Sequence, residues 1–348
     1  MKYFSFFLLI LFFLSACHIK NNGERIGELM TALNRRGDFN GTILVAENGN
    51  IIYDTAFGFA NLITREPLND SSVFYLASVS KQFTAMAIMI LKEQNKLSYC
   101  DTLTKFFPQF PAYANKITIR HLLTHTSGLP DYFAMDNFYK PGLNNQDVLN
   151  ALIAQKELKF YPGNEFSYSN SGYVMLAMIV EKVSGKPLNV FMKEFIFDPR
   201  GMKNTLVYDS SRPVIRNRAV VFNKNGELDD YNILTAGDGG IYSTTHDLFL
   251  WDQSLYQHKL VDSTTLAEAF HETKLNDGSP SYYGFGWAIT GNSNNKIVHH
   301  NGGLNGYRTA IYRDMENHNT IILLTNKGNA ANVDVITRRI AQILKDSY

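Results

Sequence analysis

Apolar positions in this chain change their period four times, and the changes divide it. Near the N-terminus Ile26, Leu29, Met30 and Leu33 recur at helical spacing and predict a first helix. The runs Thr42-Ile43-Leu44-Val45-Ala46 and Ile51-Ile52-Tyr53 then flank Glu47-Asn48-Gly49-Asn50. Asn-Gly between two apolar runs predicts a hairpin, because a type I′ turn needs positive φ at both central residues. Toward the other end, Ala310-Ile311-Tyr312 and Thr320-Ile321-Ile322-Leu323-Leu324 predict paired strands around a polar turn. A final helix carries Val333, Ile336, Ile340 and Ile343 on one stripe, with Arg338 and Arg339 outside it. The stretch 62–231 reads as mainly helical and loop-rich. Within it, 79–91 is apolar nearly all round, which marks a buried helix. Strands at both ends with helices between them predict an α+β fold: an antiparallel sheet covered by the terminal helices, with an inserted helical lobe. The sheet lobe is expected over 24–61 and 232–348, and Ser78 at the seam. No internal repeat or low-complexity linker interrupts the chain.

With 348 residues, of which 45% are hydrophobic, the chain can bury a sizeable core as two domains or one large composite. Its net charge of +1 supplies no electrostatic footprint for nucleic acid or for an anionic membrane.

Three segments carry candidate chemistry. In Ser78-Val79-Ser80-Lys81 a serine and a lysine three positions apart share one helical face. If a helix begins at Ser78, its hydroxyl sits among unpaired backbone N–H groups at the positive end of the macrodipole, with Lys81 one turn on to take its proton. A nucleophile beside a base is the minimum apparatus of acyl transfer. Ser-x-x-Lys also occurs by chance as a solvated helix start. Second, Tyr161-Pro162-Gly163 and Asn170-Ser171-Gly172 punctuate a loop before the helical stretch 173–183, and that loop can present Tyr168 and Asn170 together. A phenol near a lysine can serve as a base, and an Asn amide can bond both a substrate carbonyl and the lysine. A turn tyrosine with a capping Asn is the plainer reading. Third, Lys296-Ile297-Val298-His299-His300-Asn301-Gly302-Gly303 is a strand running into a glycine pair, where a substrate backbone can approach closely. His121 and His125 have the i, i+4 spacing of a metal pair, yet no third ligand stands nearby, so helix packing and turn bonding are expected and no metal or organic cofactor is. Tyr132, Phe133, Phe138 and Tyr139 either wall a cleft or pack under a loop.

Ser78-x-x-Lys81, Tyr168-x-Asn170 and His300-x-Gly302, in that order, resemble the three active-site motifs of the serine β-lactamase-like hydrolases. The likeness is closest to class C β-lactamases, D-alanyl-D-alanine carboxypeptidases and related esterases. His121-Leu122-Leu123-Thr124-His125-Thr126-Ser127-Gly128-Leu129-Pro130, Gly237-Asp238-Gly239-Gly240 and Tyr283-Gly284-Phe285-Gly286-Trp287 are similar to further family segments. The resemblance implies a β-lactamase/transpeptidase-like fold and an acyl-enzyme on Ser78, with Lys81 and Tyr168 catalytic. It implies that Asn170, His300, Gly302 and Gly303 bind substrate, the last with Ser78 through backbone N–H groups of an oxyanion hole. Where many β-lactamases carry Lys-Thr-Gly, this chain has His300-Asn301-Gly302. A histidine with an ordinary pKa near 6.5 is mostly neutral at pH 7, so the departure weakens the case for β-lactams. If His300 meets a substrate carboxylate, it must be protonated to do so. The substrate is expected to be a small molecule or peptidoglycan fragment: a D-amino-acid peptide, an ester or a β-lactam. A lipoprotein that binds peptidoglycan or a protein partner without chemistry is the competing reading.

At the N-terminus Lys2 precedes an apolar run over 3–14 and then Ser15-Ala16-Cys17, the pattern of a secretory signal too short to span a bilayer comfortably. Leu14-Ser15-Ala16-Cys17 resembles a bacterial lipoprotein box, which implies that an acylated Cys17 becomes the N-terminus and anchors the chain to an envelope membrane. A plain signal peptide with an incidental cysteine is the alternative. Residues 18–23 would be the tether, and Cys100 alone would remain, leaving no intrachain disulfide.

Overall fold

The computed structural model describes residues 20–346, apart from 137, 224, 230–232, 293, 294 and 329–331. The apolar leader and Cys17 lie outside the described residues. Helix α1 (Asn22–Arg35) starts inside the stretch expected as tether. The reason is a capping box: the Asn21 side chain accepts the Glu24 N–H at 2.9 Å, and Glu24 accepts the Asn21 N–H at 2.9 Å. Strands β1 (Gly41–Glu47) and β2 (Asn50–Phe57) form the expected hairpin, with Asn48 at φ 51° and Gly49 at φ 75° in its turn.

A short ribbon, β3 (Phe59–Asn61) with β4 (Glu66–Pro67), leads to β5 (Phe74–Tyr75). The inserted lobe follows: α2 (Lys81–Glu93), α3 (Leu103–Phe106), α4 (Ile119–Leu123), α5 (Asn145–Ile153), α6 (Asn170–Ser184) and α7 (Leu188–Met192). Strands β6 (Leu206–Val207) and β7 (Ile241–Ser243) join β5 in a small antiparallel sheet ordered β5-β7-β6. Two helices, α8 (Thr245–Tyr256) and α9 (Ser263–Ala269), then stand in the stretch expected to be sheet. The first of them packs on β1 and β11 and so covers one face of that sheet.

The chain closes with β8 (Ala288–Asn292), β9 (Asn295–Leu304), β10 (Tyr307–Asp314), β11 (Asn319–Thr325) and helix α10 (Val333–Lys345). The main sheet is antiparallel in the order β2-β1-β11-β10-β9-β8. Side chains alternate faces along a strand. Ile43, Val45, Ile321 and Leu323 therefore meet Ile26 and Met30 of α1 and Ile336 and Ile340 of α10. Leu44, Ile322 and Leu324 point the other way, into the large core shared with Phe83 of α2, Tyr173 of α6 and Trp251 of α8. Burial on both faces explains why β1 and β11 read as unbroken apolar runs.

Candidate active site

Every residue over 72–91 is buried except Ser78, which is partly exposed. The chain reaches it through Ala77, held at φ 48° in the left-handed region, and a 3-10 turn over Ala77–Ser80 that passes into α2 at Lys81. The α-helix thus begins three residues later than a start at Ser78. A 3-10 turn has three residues per turn, which places positions i and i+3 one above the other. Ser78 and Lys81 are brought together by that geometry. The turn is pinned where the Leu76 N–H donates to the Ile241 carbonyl at 2.8 Å and the Thr309 hydroxyl donates to the Leu76 carbonyl at 2.8 Å.

Lys81 is buried, and its Nζ donates to three oxygens: Ser78 Oγ at 3.3 Å, Asn170 Oδ1 at 2.8 Å and the Asp238 main-chain carbonyl at 2.8 Å. Asn170 is the first residue of α6 rather than part of the preceding loop, with Ser169 as its N-cap. Its Nδ2 donates to Asp131 Oδ2 at 2.9 Å, so the amide is held at both ends and keeps its oxygen on the lysine. The Tyr168 ring centroid lies 4.9 Å from Lys81 Nζ. The Tyr168 hydroxyl oxygen is buried and has no hydrogen-bond partner among the described residues. The structure brings Ser78, Lys81, Tyr168 and Asn170 into one group.

The third motif lies on β9, which packs against the Ala77–Ser80 turn. His300 is buried, and both its ring nitrogens are used within the protein: Nδ1 donates to the Asn301 carbonyl at 2.7 Å, so Nε2 accepts from the Tyr283 hydroxyl at 2.8 Å. Burial and the nearby Lys81 push its pKa down to about 3. The expectation of a histidine that charges near pH 6.5 to meet a carboxylate is therefore corrected, because desolvation excludes the imidazolium. Gly302 is also placed differently. A Cβ there would come within 2.2 Å of the Leu76 carbonyl and 2.3 Å of Thr309 Oγ1, so its bareness admits the nucleophile turn rather than a substrate backbone. Gly303 pairs with Arg308 of β10, and a Cβ on it would meet the Arg308 side chain at 3.4 Å.

Four residues beyond the three motifs contribute to the site. Asp131 anchors Asn170, and its only local signal is its place just after Leu129-Pro130. Asp238 holds Lys81 through its main chain, which any residue type can do. Its carboxyl is buried, accepts the Tyr132 hydroxyl at 2.7 Å, and has its pKa raised by desolvation. Tyr283 meets the Tyr168 ring edge-on and His125 lies tilted over it, at ring centroid distances of 6.4 Å and 4.2 Å. Tyr132 packs in the interior, whereas Phe133 and Tyr139 beside it are exposed. The His121 ring serves the cap of α4, where Nδ1 accepts the Thr118 N–H at 3.2 Å. Among the described residues no three His, Cys, Asp or Glu side chains are grouped to hold a metal, and no helix is long and apolar enough to cross a membrane.

A partly exposed serine on a strained turn, hydrogen-bonded to a buried lysine at the seam of an antiparallel sheet and a helical lobe, defines a serine hydrolase of the penicillin-binding and transpeptidase type. The chain belongs to the Beta-lactamase family, whose model matches residues 25–345. It is 38% identical over 330 residues to penicillin-binding protein 4* of Bacillus subtilis, spanning 88% of this chain and 72% of that one. A D-aminopeptidase of Brucella canis is 27% identical over 306 residues, covering 84% of this chain and 57% of that protein. The crystal structure of a penicillin binding protein from Bacillus halodurans superimposes with a TM-score of 0.79 at 27% identity, over 93% of this chain and all of that one.

Proposed function

We propose that the protein is an envelope-anchored hydrolase that removes or transfers a D-aminoacyl group, acting on an amide or ester through an acyl-enzyme on Ser78. The observation that carries this reading is the buried Lys81 Nζ, shared between Ser78 Oγ and Asn170 Oδ1. Ser78 Oγ attacks the carbonyl carbon while Lys81, acting as the free amine, takes the hydroxyl proton. Tyr168 relays a proton to the departing nitrogen or oxygen as the bond to it breaks. Water then attacks the ester and gives a proton to Lys81, which passes it to Ser78 Oγ as the acyl–oxygen bond breaks. The backbone N–H groups of Ser78 and Gly303 are assigned to the oxyanion, each such donor lowering the barrier by about 3 kcal/mol. The second Nδ2 proton of Asn170 is left to orient the substrate carbonyl. The Brucella D-aminopeptidase relative supports a D-amino-acid substrate. His300, with both ring nitrogens engaged by Asn301 and Tyr283, supports leaving groups without a free carboxylate over carboxypeptidase substrates and β-lactams.

The Leu-Ser-Ala-Cys box supports anchoring through Cys17. One preparation of the full chain tests both halves of the reading. The membrane fraction should hydrolyse D-alanine p-nitroanilide with a kcat/KM well above that for D-alanyl-D-alanine and for nitrocefin, and Cys17→Ser should move the activity to the soluble fraction. Preference for the dipeptide or the β-lactam overturns the substrate assignment, binding without turnover supports a non-catalytic lipoprotein, and a Cys17→Ser protein that stays in the membrane overturns the anchor.

A further inference from the structure

His125 follows helix α4 at φ 56°, a left-handed conformation that an L residue adopts only when its surroundings hold it there. The side chain is 1% exposed. Its main-chain carbonyl accepts the Ser167 N–H at 2.9 Å, and its ring Nδ1 accepts the Ser169 N–H at 3.1 Å. The residues on either side of Tyr168 are therefore both tied to His125. Its ring then lies 4.2 Å from that of Tyr168 at a tilt of 34°, while Lys81 Nζ stands 4.9 Å from the centre of the same phenol. With Nδ1 accepting, the neutral ring carries its proton on Nε2. That Nε2, like the Tyr168 hydroxyl, is buried without a hydrogen-bond partner among the described residues.

Resting on the acyl-transfer reading above, we infer that His125 is a positioning residue for Tyr168: its neutral imidazole fixes the backbone on both sides of the tyrosine and holds the phenol against Lys81. Neutrality is part of the device, because a protonated Nδ1 can no longer accept from Ser169 and would set a cation beside the base. The groups facing the ring are Lys81 from α2, Tyr173 from α6, His300 from β9, and Tyr168 and Tyr283. Burial, Lys81 and His300 together hold the His125 pKa well below the usual histidine range. The placement also explains why His121 and His125, at metal-like spacing, part company: one caps α4 and the other faces the reacting groups.

Two variants separate the contacts. His125→Asn keeps an acceptor for the Ser169 N–H and removes the stacked ring, and His125→Phe keeps the ring and removes the acceptor. The burst of p-nitrophenolate from p-nitrophenyl acetate reads the acylation step, alongside thermal unfolding of each protein. Both variants should acylate at least about tenfold more slowly with little change in KM, as expected for a misplaced proton-transfer group. In a Tyr168→Phe background neither should cost anything further, because the group they position is gone. Equal slowing in the two backgrounds, a rise in KM alone, or failure of both variants to fold would each overturn the inference and leave His125 a structural residue. A wild-type chain that releases no p-nitrophenolate and forms no covalent acyl adduct overturns the acyl-transfer reading and this inference with it, whereas an active wild type with additive losses overturns this inference alone.

Discussion

His300 has no spare N–H to offer a substrate, because Asn301 and Tyr283 occupy both ring nitrogens. Its depressed pKa is also a statement about stability. The unfolded chain binds a proton on this ring below the ordinary value of 6.5, and the folded chain does so only near 3. Stability from His300 is therefore complete above about 6.5 and is lost as the pH falls through that window, at about 1.4 kcal/mol per pH unit. Buried His125 adds to the loss with the same sign. Urea unfolding at pH 7, 6 and 5 should show this decline in the wild type and a shallower one in His300→Gln. Parallel slopes in the two proteins would mean that His300 charges freely in the fold. At this scale the sequence was legible where chemistry and spacing coincide, as in Ser78, Lys81 and Asn170. It was silent on Asp131 and on the Asp238 carbonyl, whose roles exist only once residues far apart in the chain meet across the seam.

Among the elements, the Asn48-Gly49 hairpin and the strands around 310–324 were legible because turn chemistry and apolar period agree there. Helices α8 and α9 were missed because α8 is buried from several sides and shows little periodic contrast, with Thr245, Asp247, Leu248, Trp251 and Asp252 all inside. Asp252 ties that buried helix to the main sheet. Its carboxylate pairs with Arg313 of β10, both side chains fully buried, and accepts the Thr320 hydroxyl of β11 at 2.8 Å. The Arg313 guanidinium lies 4.5 Å from the centre of the Tyr256 ring, with Phe270 and Trp287 beyond at 5.3 and 5.6 Å. Removing one partner strands a buried charge, so Arg313→Ala should destabilise the protein by about 3–5 kcal/mol in urea unfolding, and Arg313→Met with Asp252→Leu by less than either single change. A single change costing under about 1 kcal/mol would show the pair to be solvated.

In the whole molecule, two cores share one sheet: the terminal helices close one face, and the helical lobe with α8 closes the other. That division sets Ser78 at the seam, with β9 on one side and the Tyr168–Asn170 segment on the other. All three motifs converge on the turn after β5 although they are spread over most of the chain. In the proposed reaction this convergence makes Ser78 the sole nucleophile, aided by Lys81 and Tyr168. Treatment with a fluorophosphonate, followed by digestion and fragmentation mass spectrometry, tests it most directly. One adduct is expected, on Ser78, absent from a folded Ser78→Ala variant and formed about two to four orders of magnitude more slowly in Lys81→Ala and Tyr168→Phe. An adduct on Ser80 or Ser169, or undiminished labelling of Ser78→Ala, would contradict it.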